Sequence, residues 1–209
     1  MEMNPIIIAG CGPGSLDYMT PAALHAIEAA QVLVGAKRLL DTFPNVAAER
    51  IVIGANVSQA LDAIAERLGQ RIVVLVTGDP GLCSFARPVV RRFGRAACRV
   101  IPGISSVHAA FASVGIDWLG ARILSAHDTA PALDPASLAA EDKLAVLAGN
   151  PAHAAWTDAL VSALLPTHEI YICENLTLAD ESVRRIETFQ APMNLASRSI
   201  LLLIRKENV

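Results

Sequence analysis

The sequence predicts an α/β protein of two domains. The first carries a mostly parallel sheet with helices, and the second is a smaller-helix, mixed-sheet α/β domain. Three observations predict this. Up to about residue 114, short continuous apolar runs alternate with helical segments, as buried parallel strands joined by crossover helices do. After GIDWLG (115–120) the pattern restarts with more strand than helix. The 209-residue chain is 53% hydrophobic but only 4% aromatic, so aliphatic side chains and Ala must fill two cores in domains of ~100 residues, an ordinary domain size. The boundary is placed near residue 116, giving domains 1–115 and 116–209.

In the first half, PIIIA (5–9) is an apolar run of buried-strand type. Thr20-Pro21 opens a helix, because Thr can cap and Pro suits the first helical position. QVLVG (31–35) and RIVI (50–53) are strands. Ser58 is expected to cap a helix to about Leu68, with Ala60, Leu61, Ile64, Ala65 and Leu68 on one face. RIVVLVTG (71–78) is the strongest strand signal, followed by a helix from about Ser84 to Phe93, a strand at 98–103 and a helix from Ser105 to about Val114. In the second half, ARILSAH (121–127) and KLAVLAG (143–149) are strands flanking an Ala/Asp/Pro-rich loop. Asn150-Pro151 opens a helix to about Leu165. HEIYICE (168–174) and SVRRIET (182–188) alternate like less buried strands, and SILLLIR (199–205) is a strand.

Composition excludes several functions. A formal net charge of −3 and a pI of about 5.9 disfavour nucleic-acid binding, which wants a basic surface. No run of ~20 apolar residues offers a transmembrane helix, and the N-terminus lacks a basic n-region. The expectation is therefore a soluble, cytoplasmic protein. Cys11, Cys83, Cys98 and Cys173 contain no C-x-x-C pair and read as free thiols. The five histidines show no metal-ligand spacing, so no metal is expected.

The first strand runs into GCGPGS (10–15), which invites comparison with a dinucleotide fingerprint. Gly10 and Gly12 fit G-x-G-x-x-G, but Ser15 replaces the third glycine, Pro13 lacks an N–H, and the second strand ends in Val34-Gly35 without an acidic residue. A P-loop fails too, since no Gly-Lys-Ser/Thr occurs. What remains is a sharp turn with positive φ expected on its glycines, either an ordinary turn or a bare-backbone rim. TGDPGLCS (77–84) and PGISS (102–106) each follow a strand in the same way. If the three strands are neighbours, their loops converge on the carboxyl edge of the sheet, where α/β proteins bind ligands. Asp79 is then either a turn carboxylate with local hydrogen bonds or a ligand contact. Ser105 and Ser106 open a helix, whose N–H groups and hydroxyls suit a ligand carboxylate.

With those motifs in that order, the sequence resembles the tetrapyrrole (corrin and porphyrin) methylases over nearly its whole length. The resemblance rests on G-x-G-P-G after the first strand, Met19-Thr20 at a helix start, G-D-P-G and P-G-x-S-S. Within the family, GDPGLCS, PGISS, SAH (125–127), GNP (149–151) and ENLTLADE (174–181) look most like the cobalamin-pathway enzymes that methylate C5 of precorrin-7 or cobalt-precorrin-7. The chain departs from them in having Leu82 and Cys83 where an aromatic is common, and His127-Asp128-Thr129 where His-Gly-Arg is often found.

The resemblance implies a two-domain methylase fold with its active site in an interdomain cleft, S-adenosylmethionine as cofactor and a precorrin as substrate. It implies cofactor contacts from Gly78, Asp79, Pro80, Gly81, Leu82, Ile104, Ser105 and Ser106, with Leu147 and Ala148 beside the adenosine. Gly12, Pro13 and Gly14 would face the tetrapyrrole. It also implies a homodimer. In some members a second methyltransferase domain handles C15; the chain reaches only Val209, so the C15 step is expected of another polypeptide or segment. His127 is a candidate for acid–base work or substrate contact, or else an ordinary loop histidine. Arg87, Arg91 and Arg95 at i, i+4 spacing, with Arg92 and Arg99, fit a solvated helix face better than a substrate site. Competing functions are a same-fold methylase acting at another ring carbon, on RNA or on protein-bound diphthine, and a non-catalytic tetrapyrrole or nucleotide carrier.

Overall fold

The computed structural model describes residues 4–127 and 129–208; Asp128, in the His127-Asp128-Thr129 segment, lies outside the described residues. The chain divides into two compact units between Ser105 and Ser106.

The first unit is a five-stranded sheet in the order β3-β2-β4-β1-β5, formed by β1 (Ile6–Gly10), β2 (Val32–Gly35), β3 (Glu49–Val52), β4 (Ile72–Val76) and β5 (Cys98–Ile101). Every pairing is parallel, as the continuous apolar runs require: both faces of such a strand are covered, so neither face can be polar. Successive side chains divide between two cores. Ala9, Leu33, Val73 and Leu75 pack with Ala23 and Ile27 of α1 (Pro21–Glu28) and Leu39 and Leu40 of α2 (Lys37–Asp41). Ile6, Ile8, Val32, Val34, Ile72 and Val74 face the other way, toward Ile64 of α3 (Val57–Ala65) and Val89 of α4 (Ala86–Phe93).

The second unit holds α5 (Ser106–Val114), whose element contacts include β10 (Ser199–Arg205), and a mixed sheet. Its order is β6-β7-β10-β8-β9, with β6 (Arg122–Ser125), β7 (Lys143–Leu147), β8 (His168–Glu174) and β9 (Ser182–Ile186). Only β6 and β7 are parallel; β7, β10, β8 and β9 pair antiparallel in turn. The central β10 is buried along ILLLI, whereas the edge strand β9 is largely exposed. Leu160, Val161 and Leu164 of α6 (Ala154–Leu164) pack on this sheet's core.

Several local expectations are corrected. Thr20 does cap α1, accepting from the Ala23 N–H at 3.2 Å. The cap of α3, however, is Asn56, which accepts from the Gln59 N–H at 3.2 Å, and not Ser58. The helix ends at Ala65, leaving Leu68 46% exposed. Helix α4 begins at Ala86 rather than Ser84: the Ser84 hydroxyl donates to Pro80 O and accepts from Ala86 N–H, so Ser84 belongs to the preceding turn. GNP opens first a 3₁₀ turn (Pro151–His153), capped by Asn150, and then α6. The short helix α2 went unpredicted because five residues carry too little periodicity to show.

Candidate active site

In the first unit β1 lies between β4 and β5, so the loops that follow these three strands do meet at the carboxyl edge. The contacts among them are backbone contacts. Gly12 and Gly78 form an isolated bridge, with the Gly78 N–H donating to Gly12 O at 2.8 Å. A Cβ on Gly10 would lie 2.6 Å from Gly103 N, and one on Gly103 only 2.4 Å from Gly78 O. No side chain fits there, so these glycines are demanded by packing of loop on loop. In the GPG turn only Gly12 has positive φ (+70°); Gly14 does not, contrary to expectation. Pro13 and Gly12 are buried, and Gly14 is half-buried.

Asp79 fastens two of the loops. Its Oδ1 accepts from the Gly81 N–H at 2.7 Å and its Oδ2 from the Gly103 N–H at 3.0 Å. The first bond is the local turn bond weighed from sequence; the second reaches the loop after β5. A carboxylate offers about four acceptor positions, so the clamp uses about half of its capacity. Around it, Gly78 and Pro80 are buried, Gly81 is exposed and Leu82 is half-buried. Ser105 is buried, and Ser106 is the first residue of α5. Ile104, just before them, is 37% exposed, an apolar side chain presented at the edge.

Cys11, between the first two glycines, is buried, and its thiol donates to Ala9 O. Burial pushes its pKa up to about 12, against the lowering effects of the Val76 backbone and of the Arg38 charge. Such a thiol stays protonated and is no nucleophile at neutral pH. Arg38 was not singled out from sequence. It follows β2, is exposed, and donates from Nη2 to Thr77 Oγ1 at the end of β4. Only the adjacency of β2 and β4 brings it to the edge.

The remaining expected residues lie in the second unit and form an edge of their own. Ala148 N–H donates to Ser199 O, Ala126 N–H to Leu147 O, and the Asn150 side chain to His127 O. Leu147 is half-buried, Ala148 buried and His127 exposed. The segments SAH, GNP and the start of ENLTLADE therefore sit at the same end of the mixed sheet. Beside them is a cavity of about 510 Å³ whose lining includes Gly149, Asn150, Thr157, Glu174, Met193 and Ala196. Gly149 has φ +90°, and a Cβ there would sit 2.1 Å from Ala196 O. The Glu174 carboxylate, also unpredicted, accepts from Ala196 N–H and Ser199 Oγ, holding the loop before β10. Among the described residues no group of three or more His, Cys, Asp or Glu is placed to hold a metal ion, and no helix is long and apolar enough to cross a membrane.

The family profile described as Tetrapyrrole (Corrin/Porphyrin) Methylases matches residues 5–191. The chain belongs to this family. The cobalt-precorrin-7 C(5)-methyltransferase of Salmonella typhimurium is 41% identical over 122 residues, 58% of this chain and 61% of that protein; the chain thus matches about three fifths of that relative's length. Among solved structures, the methyltransferase CobJ superposes with a TM-score of 0.81 at 19% identity, covering 97% of this chain and 95% of CobJ. The uroporphyrin-III C-methyltransferase of Thermus thermophilus, complexed with S-adenyl homocysteine, gives 0.71 at 19% identity, covering 96% and 92%. At these identities the two structures speak for the fold: this family member has the α/β architecture of its relatives, a parallel sheet and a separate mixed sheet.

Proposed function

We propose that the protein transfers a methyl group from S-adenosylmethionine to a ring carbon of a corrin precursor in cobalamin biosynthesis, namely C5 of precorrin-7 or cobalt-precorrin-7. The observation that carries this is the 41% identity to a relative named for that reaction. The S-adenyl homocysteine complex of the Thermus relative supports the choice of cofactor.

The residues present fit that cofactor. The glycine-only packing at Gly10 and Gly103 bares backbone at the sheet edge, Asp79 retains acceptor capacity for a cationic or hydroxylic group, and Ile104 offers an apolar contact. In the proposed arrangement Gly78 to Leu82 line the cofactor, while Ile104, Ser105 and Ser106 hold its methionine end. Leu147 and Ala148 flank the adenosine, next to a cavity of the size that small-molecule sites occupy. Gly12, Pro13 and Gly14 face the macrocycle.

Bound there, the cofactor supplies an electrophilic methyl group on a sulfonium. The acceptor ring carbon would take this methyl group, leaving the cofactor as a thioether, and would lose its own proton to a base held by the chain. The chain's part is positioning and exclusion of water. His127, exposed at the end of β6, is assigned the proton. Cys11 takes no part, its buried thiol being protonated. The proposal includes a cytoplasmic homodimer acting beside a separate C15-methylating activity, with light scattering as the check on the dimer.

The test is incubation with labelled S-adenosylmethionine and precorrin-7, the methyl group being located by NMR. Label at C5 is expected. Label at another carbon would make the protein a methylase of different regiochemistry, and cofactor binding without transfer would make it a carrier.

A further inference from the structure

The parallel-sheet edge has a cationic end that the cofactor scheme leaves unused. Along the order β2-β4-β1-β5, Asp79 and Gly103 join the β4 and β5 loops, while Arg38 stands on the β2 side. The Arg38 guanidinium is fixed by Thr77, whose neighbour Gly78 is bridged to Gly12. Gly12 in turn abuts the backbone of Tyr18, where a Cβ on Gly12 would lie 2.8 Å from Tyr18 O. Leu16 and Tyr18 are 45% and 43% exposed on that same loop. One contiguous strip thus presents a held guanidinium beside exposed apolar side chains. Its chemistry suits a flat, largely apolar molecule with carboxylate substituents, because guanidinium binds carboxylate in a planar fork. The buried Cys11 thiol beside it stays neutral, so it supplies no negative charge to Arg38.

Four of the five arginines clustered in and after α4 are at the wrong end; Arg87, in the first turn of that helix, is the exception. A crossover helix runs back against its strands, so the C-terminal end of α4 and the turn at Arg95–Ala97 lead to the start of β5, and Arg99 pairs with Ile7 early in β1. Arg91, Arg92, Arg95 and Arg99 therefore lie toward the amino edge, and Arg92 pairs there with Asp62.

We propose that Arg38 is a substrate-binding residue that receives a carboxylate of the methyl acceptor at the β2 end of the edge. This rests on the tetrapyrrole reading of the site. Precorrins carry several carboxylates around an apolar ring, and Arg38 selects the placement that brings one of them to the Thr77 side.

Two measurements on the whole protein test this: steady-state methylation of precorrin-7, and fluorescence titration with uroporphyrin as a stable tetrapyrrole polycarboxylate. For Arg38→Ala we expect KM for precorrin-7 and Kd for uroporphyrin to rise about tenfold or more. Affinity for S-adenosylmethionine should stay within about twofold of wild type. Arg38→Lys should recover part of the loss, and Thr77→Val, which keeps the charge but frees it, should show a smaller rise. Arg95→Ala is the control and should behave as wild type. Unchanged KM and Kd in Arg38→Ala would overturn the inference, as would an equal loss of cofactor affinity. Should Arg38→Ala fail to fold by circular dichroism, the Lys and Thr77 variants decide by the same criteria. If the wild type transfers no methyl group to precorrin-7, the functional proposal falls, while the uroporphyrin titration still decides the role of Arg38.

Discussion

The Asp79 carboxylate holds the backbone of Gly103 at 3.0 Å, so one side chain after β4 fixes the loop after β5. Asp79→Ala removes both of its accepted N–H bonds. Losing such bonds costs about 1–3 kcal/mol, or a fall in Tm of about 2–4 °C for each kcal/mol in a chain of this size. Cofactor affinity should fall with it. Asp79→Asn separates the two effects: its one carbonyl oxygen can serve a single loop, so cofactor affinity by calorimetry should drop while most of the stability remains. Wild-type affinity in both variants would remove Asp79 from the site.

At Gly10 and Gly103 glycine is predicted to be obligatory by contact, not by turn geometry. Gly103→Ala puts a Cβ 2.4 Å from Gly78 O, and backbone cannot yield cheaply, so a loss of about 2 kcal/mol or more by urea denaturation is expected. Gly54→Ala is the contrast. Nothing lies within 4 Å and its φ is not in the left-handed region, so the change should be neutral or gain up to about 1 kcal/mol.

Helix α3 offers a direct comparison of two caps. Asn56→Ala should destabilise by about 1 kcal/mol, since it strips the acceptor from Gln59 N–H. Ser58→Ala, inside the helix, should cost much less. Equal effects in the two variants would contradict the observed cap.

The buried thiols set an alkaline limit. Burial raises Cys11 to about 12 and Cys173 to about 11, from 9.0. Folding therefore favours the protonated thiols. The contribution is fully present below pH 9 and is lost as pH rises from 9 toward 12, because the unfolded chain ionises first. Urea midpoints should fall over that window, and less steeply in Cys11→Ala/Cys173→Ala. In the native protein at pH 8, iodoacetamide should label the exposed Cys83 ahead of both.

His127→Ala should lower kcat by about 10²-fold or more if the imidazole takes the ring proton, with cofactor affinity unchanged. Wild-type kcat in that variant would reassign the base.

Much of this edge was legible in the sequence because its signals are local. A strand, a Gly/Pro-rich loop and a helix can each be read from consecutive residues, and parallel apolar runs place three such loops side by side when their strands are neighbours. What could not be read was long-range. Arg38 and Thr77 are brought together by the pairing of β2 with β4, and Glu174 meets Ala196 and Ser199 through the β8–β10 pairing. Nothing in KRLL or in CEN announces those partners. Asn56 was passed over for Ser58 because two good capping residues stood two positions apart, and only the backbone turn distinguishes them. The second Asp79 bond was hidden for the same reason as Arg38, whereas the first, to Gly81, is an ordinary two-residue turn contact.

The position of β1 at the heart of its sheet has a consequence for biogenesis. Ile7 aligns with Val73 on one side and Arg99 on the other, so β1, which leaves the ribosome ahead of both, has neither neighbour until most of the first unit has been made. Its apolar run must wait, exposed, for partners distant in sequence, which is slow and aggregation-prone compared with local pairing. The three-loop edge is therefore expected to be the last part of that sheet to take shape during synthesis. Stalled nascent chains should show no protected β1 amides before β4 has emerged, and the full set only after β5 has, as hydrogen exchange would record.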